Sequence, residues 1–166
     1  AMSDLFADRI RGKRAQTATK VDGGTHPSVK SCFVGLDGYR HVIDSVDVVL
    51  IACAAKFHPM YLKAGIEAGK HVFVEKPNGI DAFGIKLLRR AAELAKEKRL
   101  CLVSGLQNRY DPGIAETVKR VHDGAIGDVV AVHEQWLRGP YGVVDRRPGL
   151  SELEWQCSTQ YHFAWL

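Results

Sequence analysis

The tripeptide Glu75-Lys76-Pro77 follows directly on the apolar run His71-Val72-Phe73-Val74 and is the sharpest chemical feature of the chain. A lysine placed straight after a buried strand and fixed by proline faces a crevice rather than open water. There its ammonium could hold a carbonyl or hydroxyl oxygen, or take part in proton transfer. The plain alternative is a solvated loop lysine. Glu75 could orient Lys76 or simply neutralise it. Comparable clusters are Asp4 near the start, Cys53-Ala54-Ala55-Lys56-Phe57-His58, and Gly105-Leu106-Gln107-Asn108-Arg109-Tyr110. His58 could contact a ligand or merely precede a helix-starting proline. Arg109, with Asn108 and Tyr110, could bind a ligand or serve the loop before Asp111-Pro112.

The elements that must position these residues are legible in the periodicity. Residues 46–52 read Val-Asp-Val-Val-Leu-Ile-Ala, a continuous run that suits a strand buried on both faces. Pro59 opens a helix that stops at Gly69, a good C-terminal cap. A strand is expected over 71–75, and a helix over 82–98 capped by Asp81. Its inward face is expected at Ile85, Leu88, Ala92 and Ala95. A third strand over 100–104 and a helix from Pro112 to His122, closed by Gly124, complete the series. The opening residues read as the tail of a strand delivering Asp4 to a loop, followed by a polar helix over 9–19. Such alternation predicts an α/β fold with a doubly wound parallel sheet. Ligands then bind at the carboxyl ends of the strands, where the clusters above fall.

The pattern changes near Gly127. Residues 128–137 alternate in their second half and predict a long antiparallel strand, the start of an α+β domain. The expected organisation is therefore residues 1–126 as one domain and 127–166 as the opening of another. Between Gly139-Pro140 and Leu150 an extended loop is expected, before the dense apolar run Tyr161-His162-Phe163-Ala164-Trp165-Leu166.

Composition bounds the answer. The 166 residues are 46% hydrophobic and 25% charged, with 16 glycines and 6 prolines, which excludes a collagenous or disordered chain. No run approaches 18 apolar residues, so no membrane span is expected. Arg9, Arg11, Lys13 and Arg14 cluster without stacking aromatics, which reads as a solvated helix face rather than a nucleic-acid site. Cys32, Cys53, Cys101 and Cys157 have no metal-ligand spacing; Cys53 and Cys101 read as small core residues, and a reducing, cytoplasmic compartment fits. One absence matters more. A dinucleotide-binding sheet needs a Gly-rich turn after its first strand, and no GxGxxG occurs in the chain. Gly23-Gly24, Gly35 with Gly38, and Gly124 with Gly127 have the wrong spacing or context.

The stretch VDVVLIACAAKFHPMYLKAGIEAGKHVFVEKP, continued by LVSGLQNRYDPGIAETVKRVHDGAIGDVVAVHEQWLRGP and weakly by YHFAWL, resembles the glucose–fructose oxidoreductase / inositol dehydrogenase / MocA (Gfo/Idh/MocA) family. Specificity lies in the EKP tripeptide together with His58 before it and the Arg109 cluster after it. The resemblance implies a Rossmann domain binding NAD, with NADP as the alternative, followed by an α/β domain with a large open sheet. It implies that Lys76 lies at the nicotinamide and substrate as the catalytic residue. Glu75, Pro77, Cys53, Ala54, His58 and Arg109 would line the cofactor pocket. Asp4 would hold the adenosine ribose hydroxyls, favouring NAD.

By the same resemblance the parent is a homo-oligomer acting on a sugar or polyol by hydride transfer. NAD-dependent glycoside cleavage is the alternative chemistry, and a non-catalytic α/β ligand-binding module the alternative class. Cys53-Ala54 stands where Thr-Pro is more usual. The first strand with its Gly-rich turn would precede Ala1, and a downstream catalytic histidine motif would follow Leu166. An internal fragment, inactive by itself, is thus expected, with an unpaired apolar strand edge at 46–52.

Overall fold

The computed structural model describes residues 1–20, 28–137, 145–146 and 148–159. Two compact units divide the chain, Ala1–Ser104 and Gly105–Leu166. In the first, β1 (Met2–Asp4) leads through α1 (Ala7–Lys20) to β2 (Cys32–Val34) and α2 (Gly38–Asp44). Then β3 (Val48–Ile51), α3 (His58–Glu67), β4 (His71–Val74), α4 (Ala82–Glu97) and β5 (Leu102–Ser104) alternate as the periodicity predicts.

All strand pairs among the described residues are parallel. β1 lies beside β2, and a separate sheet has the order β3-β4-β5. The expected unpaired edge is thus present: among the described residues β3 pairs with β4 alone. The expectation that β3 is buried on both faces is not met. Val49 and Ile51 are buried, whereas Val48 and Leu50 are 53% and 74% exposed. The reason is one-sided packing: the buried cluster gathers Val49, Ile51, Val72 and Val74 with Leu62 and Ile66 of α3 and Ala91 and Ala95 of α4.

The inward face of α4 is also rotated from the expected one. Gly84, Ala91 and Ala95 are buried, while Ile85 and Ala92 are exposed. Close approach to α3 decides this. A β-carbon at Gly84 would stand 2.9 Å from Cγ of Pro59, so the smallest residues face the neighbouring helix. Asp81 caps the helix as expected, accepting from the Gly84 N–H at 2.5 Å.

Helices α3 and α4 end alike. Lys70 N–H reaches Gly65 C=O and Gly69 N–H reaches Ile66 C=O; Leu100 and Arg99 repeat the pattern on Ala95 and Lys96. The left-handed position is filled by Gly69 in one and by Arg99, at φ 56°, in the other. The ammonium of Lys98 donates to the carbonyls of Ile66 and Glu67, tying the end of α4 to the end of α3.

In the second unit, α5 (Pro112–His122) is capped by Asp111 as its sequence predicts. The strand expected over 128–137 does not form; these residues have no regular structure, with Val130 94% and Trp136 84% exposed. A strand needs a ladder partner for its backbone groups, and none pairs with it among the described residues. Helix α6 (Glu152–Ser158) was not anticipated, although Ser151 and Glu154 form the reciprocal capping box that announces it. Gly23-Gly24, Gly139-Pro140 and the run Tyr161 to Leu166 lie outside the described residues. No described helix is long and apolar enough to cross a membrane.

Leu62 is 1% exposed, so Leu62→Ala is expected to cost about 2–5 kcal/mol in denaturant unfolding. Arg99→Gly is expected to act oppositely. It relieves a left-handed side chain and raises stability by up to about 1 kcal/mol, the relief exceeding the chain entropy that glycine adds.

Candidate cofactor and active site

Parallel register brings Ile51, Val74 and Ser104 side by side at the carboxyl ends of β3, β4 and β5. The loops that follow hold most of the expected site residues. Lys76 is exposed, and the Lys76–Pro77 peptide is cis. Oε2 of Glu75 accepts from the backbone N–H of Lys76 at 3.1 Å. Glu75 therefore orients the turn through the main chain, and among the described residues no ion pair joins it to the Lys76 ammonium. On the far side of the turn, Oδ1 of Asn78 accepts from the Ser104 hydroxyl at 2.9 Å.

His58 sits beneath this turn at 1% exposure. Its Nδ1 lies 2.8 Å from the Pro77 carbonyl oxygen, and its Nε2 lies 2.9 Å from that of Cys53. Both polar atoms of the ring are thus committed to the two strand-end loops. Ala54 begins the tight turn Ala55–Phe57 that leads into α3, and its carbonyl accepts from Phe57 N–H.

Oδ1 of Asp4 accepts from the Phe6 N–H at 3.0 Å, which holds the carboxylate at the start of α1. Cys53 and Cys101 are exposed residues, not the core residues the sequence suggests, because β3 stops at Ile51 and β5 starts only at Leu102. Even so, the Cys53 sulfur is packed. Burial pushes its pKa up to about 11; a backbone hydrogen bond works against this, and the Asp4 charge adds to it. Tyr61 is raised to about 12, by burial first and then by the charges of Cys53, Tyr39, Asp37 and Asp4. Its ring stacks on Tyr39 at 4.3 Å and on Phe57 at 5.8 Å between centroids.

The structure therefore gathers Lys76, Glu75, Pro77, His58, Cys53 and Ala54 at adjoining strand ends, with Asp4 in electrostatic reach of Cys53. Arg109 belongs to the second unit, exposed in the short turn Gln107–Tyr110. Sequence reasoning gave no role to Ser104, Asn78 or Tyr61. A hydroxyl at a strand end opposite a loop amide was the available signal for the first two.

A nicotinamide dinucleotide asks for acceptors at the adenosine ribose, amide N–H groups at the pyrophosphate, and donors at the reacting end. Asp4 has the chemistry for the first and the Lys76 turn for the last. The pyrophosphate cradle is absent among the described residues, which contain no GxGxxG turn. A shallow depression of about 100 Å³ lined by Lys56, Met60, Ile80, Phe83 and Leu87 takes Lys56 from the Cys53–His58 cluster but none of Glu75, Lys76, Pro77, Cys53 or His58. It is too small for a dinucleotide.

The profile of the Gfo/Idh/MocA oxidoreductase family, NAD-binding Rossmann fold, matches residues 9–106. The chain belongs to that family, and the α/β fold and the nicotinamide cofactor expected from the sequence are the family's own. It is 35% identical over 133 residues to the inositol 2-dehydrogenase/D-chiro-inositol 3-dehydrogenase of Halalkalibacterium halodurans, across 80% of this chain and 34% of that protein. The crystal structure of myo-inositol 2-dehydrogenase from Lactobacillus plantarum is similar at TM-score 0.57 and 23% identity, over 77% of this chain and 34% of that one. A 3-ketoreductase from Actinomadura kijaniata, crystallised with TDP-benzene and NADP, has TM-score 0.56 and 22% identity over 76% and 34%. These two share the fold. The chain spans about a third of the length of the relatives it matches.

With its pKa near 11, the Cys53 thiol is expected to alkylate at pH 8 about a hundredfold more slowly than an unshifted thiol, as read by mass spectrometry after a short iodoacetamide pulse. Because Cys53 and Tyr61 ionise later in the folded state than in the unfolded one, their contribution is complete below about pH 9. It drains away as pH rises from there to about 12. Tyr61→Phe is expected to flatten the part of this loss above pH 10 in pH-resolved unfolding curves.

Proposed function

We propose that this chain carries the lysine-bearing half of the reaction centre of an NAD-dependent dehydrogenase acting on a cyclic polyol or sugar. The observation that supports it is the Glu75-Lys76-Pro77 turn, held at the carboxyl end of β4 inside a family-matched Rossmann unit. The curated relative's name, an inositol dehydrogenase, supports the substrate class.

In this reading Lys76 donates a hydrogen bond to the substrate oxygen and polarises it for hydride transfer. The nicotinamide, when bound, supplies the hydride acceptor or donor. Glu75 keeps the Lys76 amide and hence the turn in place, Pro77 and the Cys53-Ala54 segment flank the cofactor, and Asp4 accepts from the ribose hydroxyls, favouring NAD over NADP. Arg109 is assigned to the same cofactor pocket by resemblance alone. We further infer a domain boundary near Gly127, a homo-oligomeric whole protein, and a cytoplasmic setting, the last in keeping with four free cysteines.

Lys76→Ala in the whole protein is expected to lower kcat with myo-inositol about 100- to 10,000-fold, followed by NADH absorbance; near-normal turnover would overturn the reading. Without a pyrophosphate cradle, the chain by itself is expected to bind NAD more weakly than about 1 mM, and micromolar affinity in calorimetry would overturn that expectation.

A further inference from the structure

We propose that His58 is the positioning residue of the Lys76 turn: a doubly protonated imidazole that latches the loop after β3 to the loop after β4. Carbonyl oxygens only accept hydrogen bonds, and both ring nitrogens face one, Pro77 at 2.8 Å and Cys53 at 2.9 Å. A neutral ring donates to one of them and turns a lone pair on the other. At 1% exposure no water stands between, so the arrangement that satisfies every polar atom puts a proton on each nitrogen. No carboxylate pairs with the ring among the described residues. Two charge-assisted hydrogen bonds to main-chain carbonyls offset the cost of burying the charge without an ion pair.

The bond to Pro77 holds the residue next to Lys76, and the bond to Cys53 holds the loop after β3. With Glu75 on the Lys76 amide and Ser104 on Asn78, the turn is fastened on three sides, and His58 is the one fastening that reaches both loops. That this positioning serves hydride transfer rests on the proposed function of Lys76.

The ring is read directly by nitrogen-15 spectroscopy of the histidine-labelled chain at neutral pH. Two protonated nitrogens at His58 are expected, and one bare nitrogen would overturn the proposal. Amide exchange then tests the latch, using the Phe57 amide, bonded to Ala54, for the β3 loop and the Glu75 amide, bonded to Ile51, for the β4 side. His58→Asn places its donor where Nδ1 stood, so Glu75 stays protected and Phe57 exchanges about tenfold faster. His58→Gln reaches the Nε2 position and gives the reverse.

The Val72 amide, bonded to Cys101 within the ladder, is expected to be unchanged in both. Uniform acceleration of all three amides, or no difference between the two variants, would reduce His58 to packing and overturn the latch. If the exchange pattern holds while Lys76→Ala leaves turnover intact, the latch stands and the catalytic reading falls; the opposite pair of results separates them the other way.

Discussion

Burial of Val49, Ile51, Val72 and Val74 against Leu62 and Ile66 fixes the register of the three-stranded ladder. Each such side chain contributes on the order of 1.5–3 kcal/mol when fully buried. A strand slipped by one residue would turn Val49 and Ile51 to water and bring Val48 and Leu50 inward, so register and burial enforce one another. Register in turn sets where each strand stops. Ile51, Val74 and Ser104 fall in one row, and the residues that follow them are delivered to one end of the sheet. The position of the Lys76 turn is a consequence of which face of β3 is apolar and covered.

Small residues make that cover close enough to matter. Gly65 on α3 leaves room for Val72, whose Cγ2 would stand 3.0 Å from an added β-carbon, and Gly84 on α4 does the same for Pro59. The second contact lies next to the site: Pro59 follows His58, and Gly84 is the residue whose amide Asp81 caps. The starts of α3 and α4 are thereby clamped together on either side of the loop from Glu75 to Asp81. At the opposite ends Lys98 satisfies the last carbonyls of α3, so the helix pair is tied at both ends.

Periodicity and punctuation made the larger features legible. Continuous apolar runs, Pro59 and Pro112 at helix starts, Asp81 and Asp111 as caps, and Gly69 and Gly124 as stops placed β3, α3, β4, α4, β5 and α5 to within about two residues. What periodicity could not see was which neighbour would be present. One-sided cover of β3, the rotated face of α4 and the unformed strand over 128–137 all depend on partners that a linear pattern does not name. β2 and α2 were missed because three strand residues and seven helical ones are too short to show a period. In the site, residue types gave Lys76 and Glu75 their candidacy. The direction of the Glu75 carboxylate, toward the backbone N–H and away from the ammonium, is a matter of turn geometry. His58 shows the same limit more sharply: the sequence left it as a ligand contact or a mere helix preface, and the structure gives its ring two internal partners instead.

Under the proposed function, the distribution of these bonds separates two tasks that a dehydrogenase must perform together. Holding the Lys76 turn is accomplished by groups within this chain, through the Glu75 carboxylate, the His58 ring and the Asn78–Ser104 pair, none of which requires a cofactor. Capturing a dinucleotide depends chiefly on amide N–H groups aimed at its pyrophosphate, and these residues contain no such cradle. Preorganisation of the turn and affinity for the cofactor are therefore set by different parts of the sequence. A turn already fastened before the cofactor arrives loses little freedom on binding. Binding free energy supplied by the pyrophosphate contacts is then not consumed in ordering the lysine, and it remains available to hold nicotinamide and substrate against it.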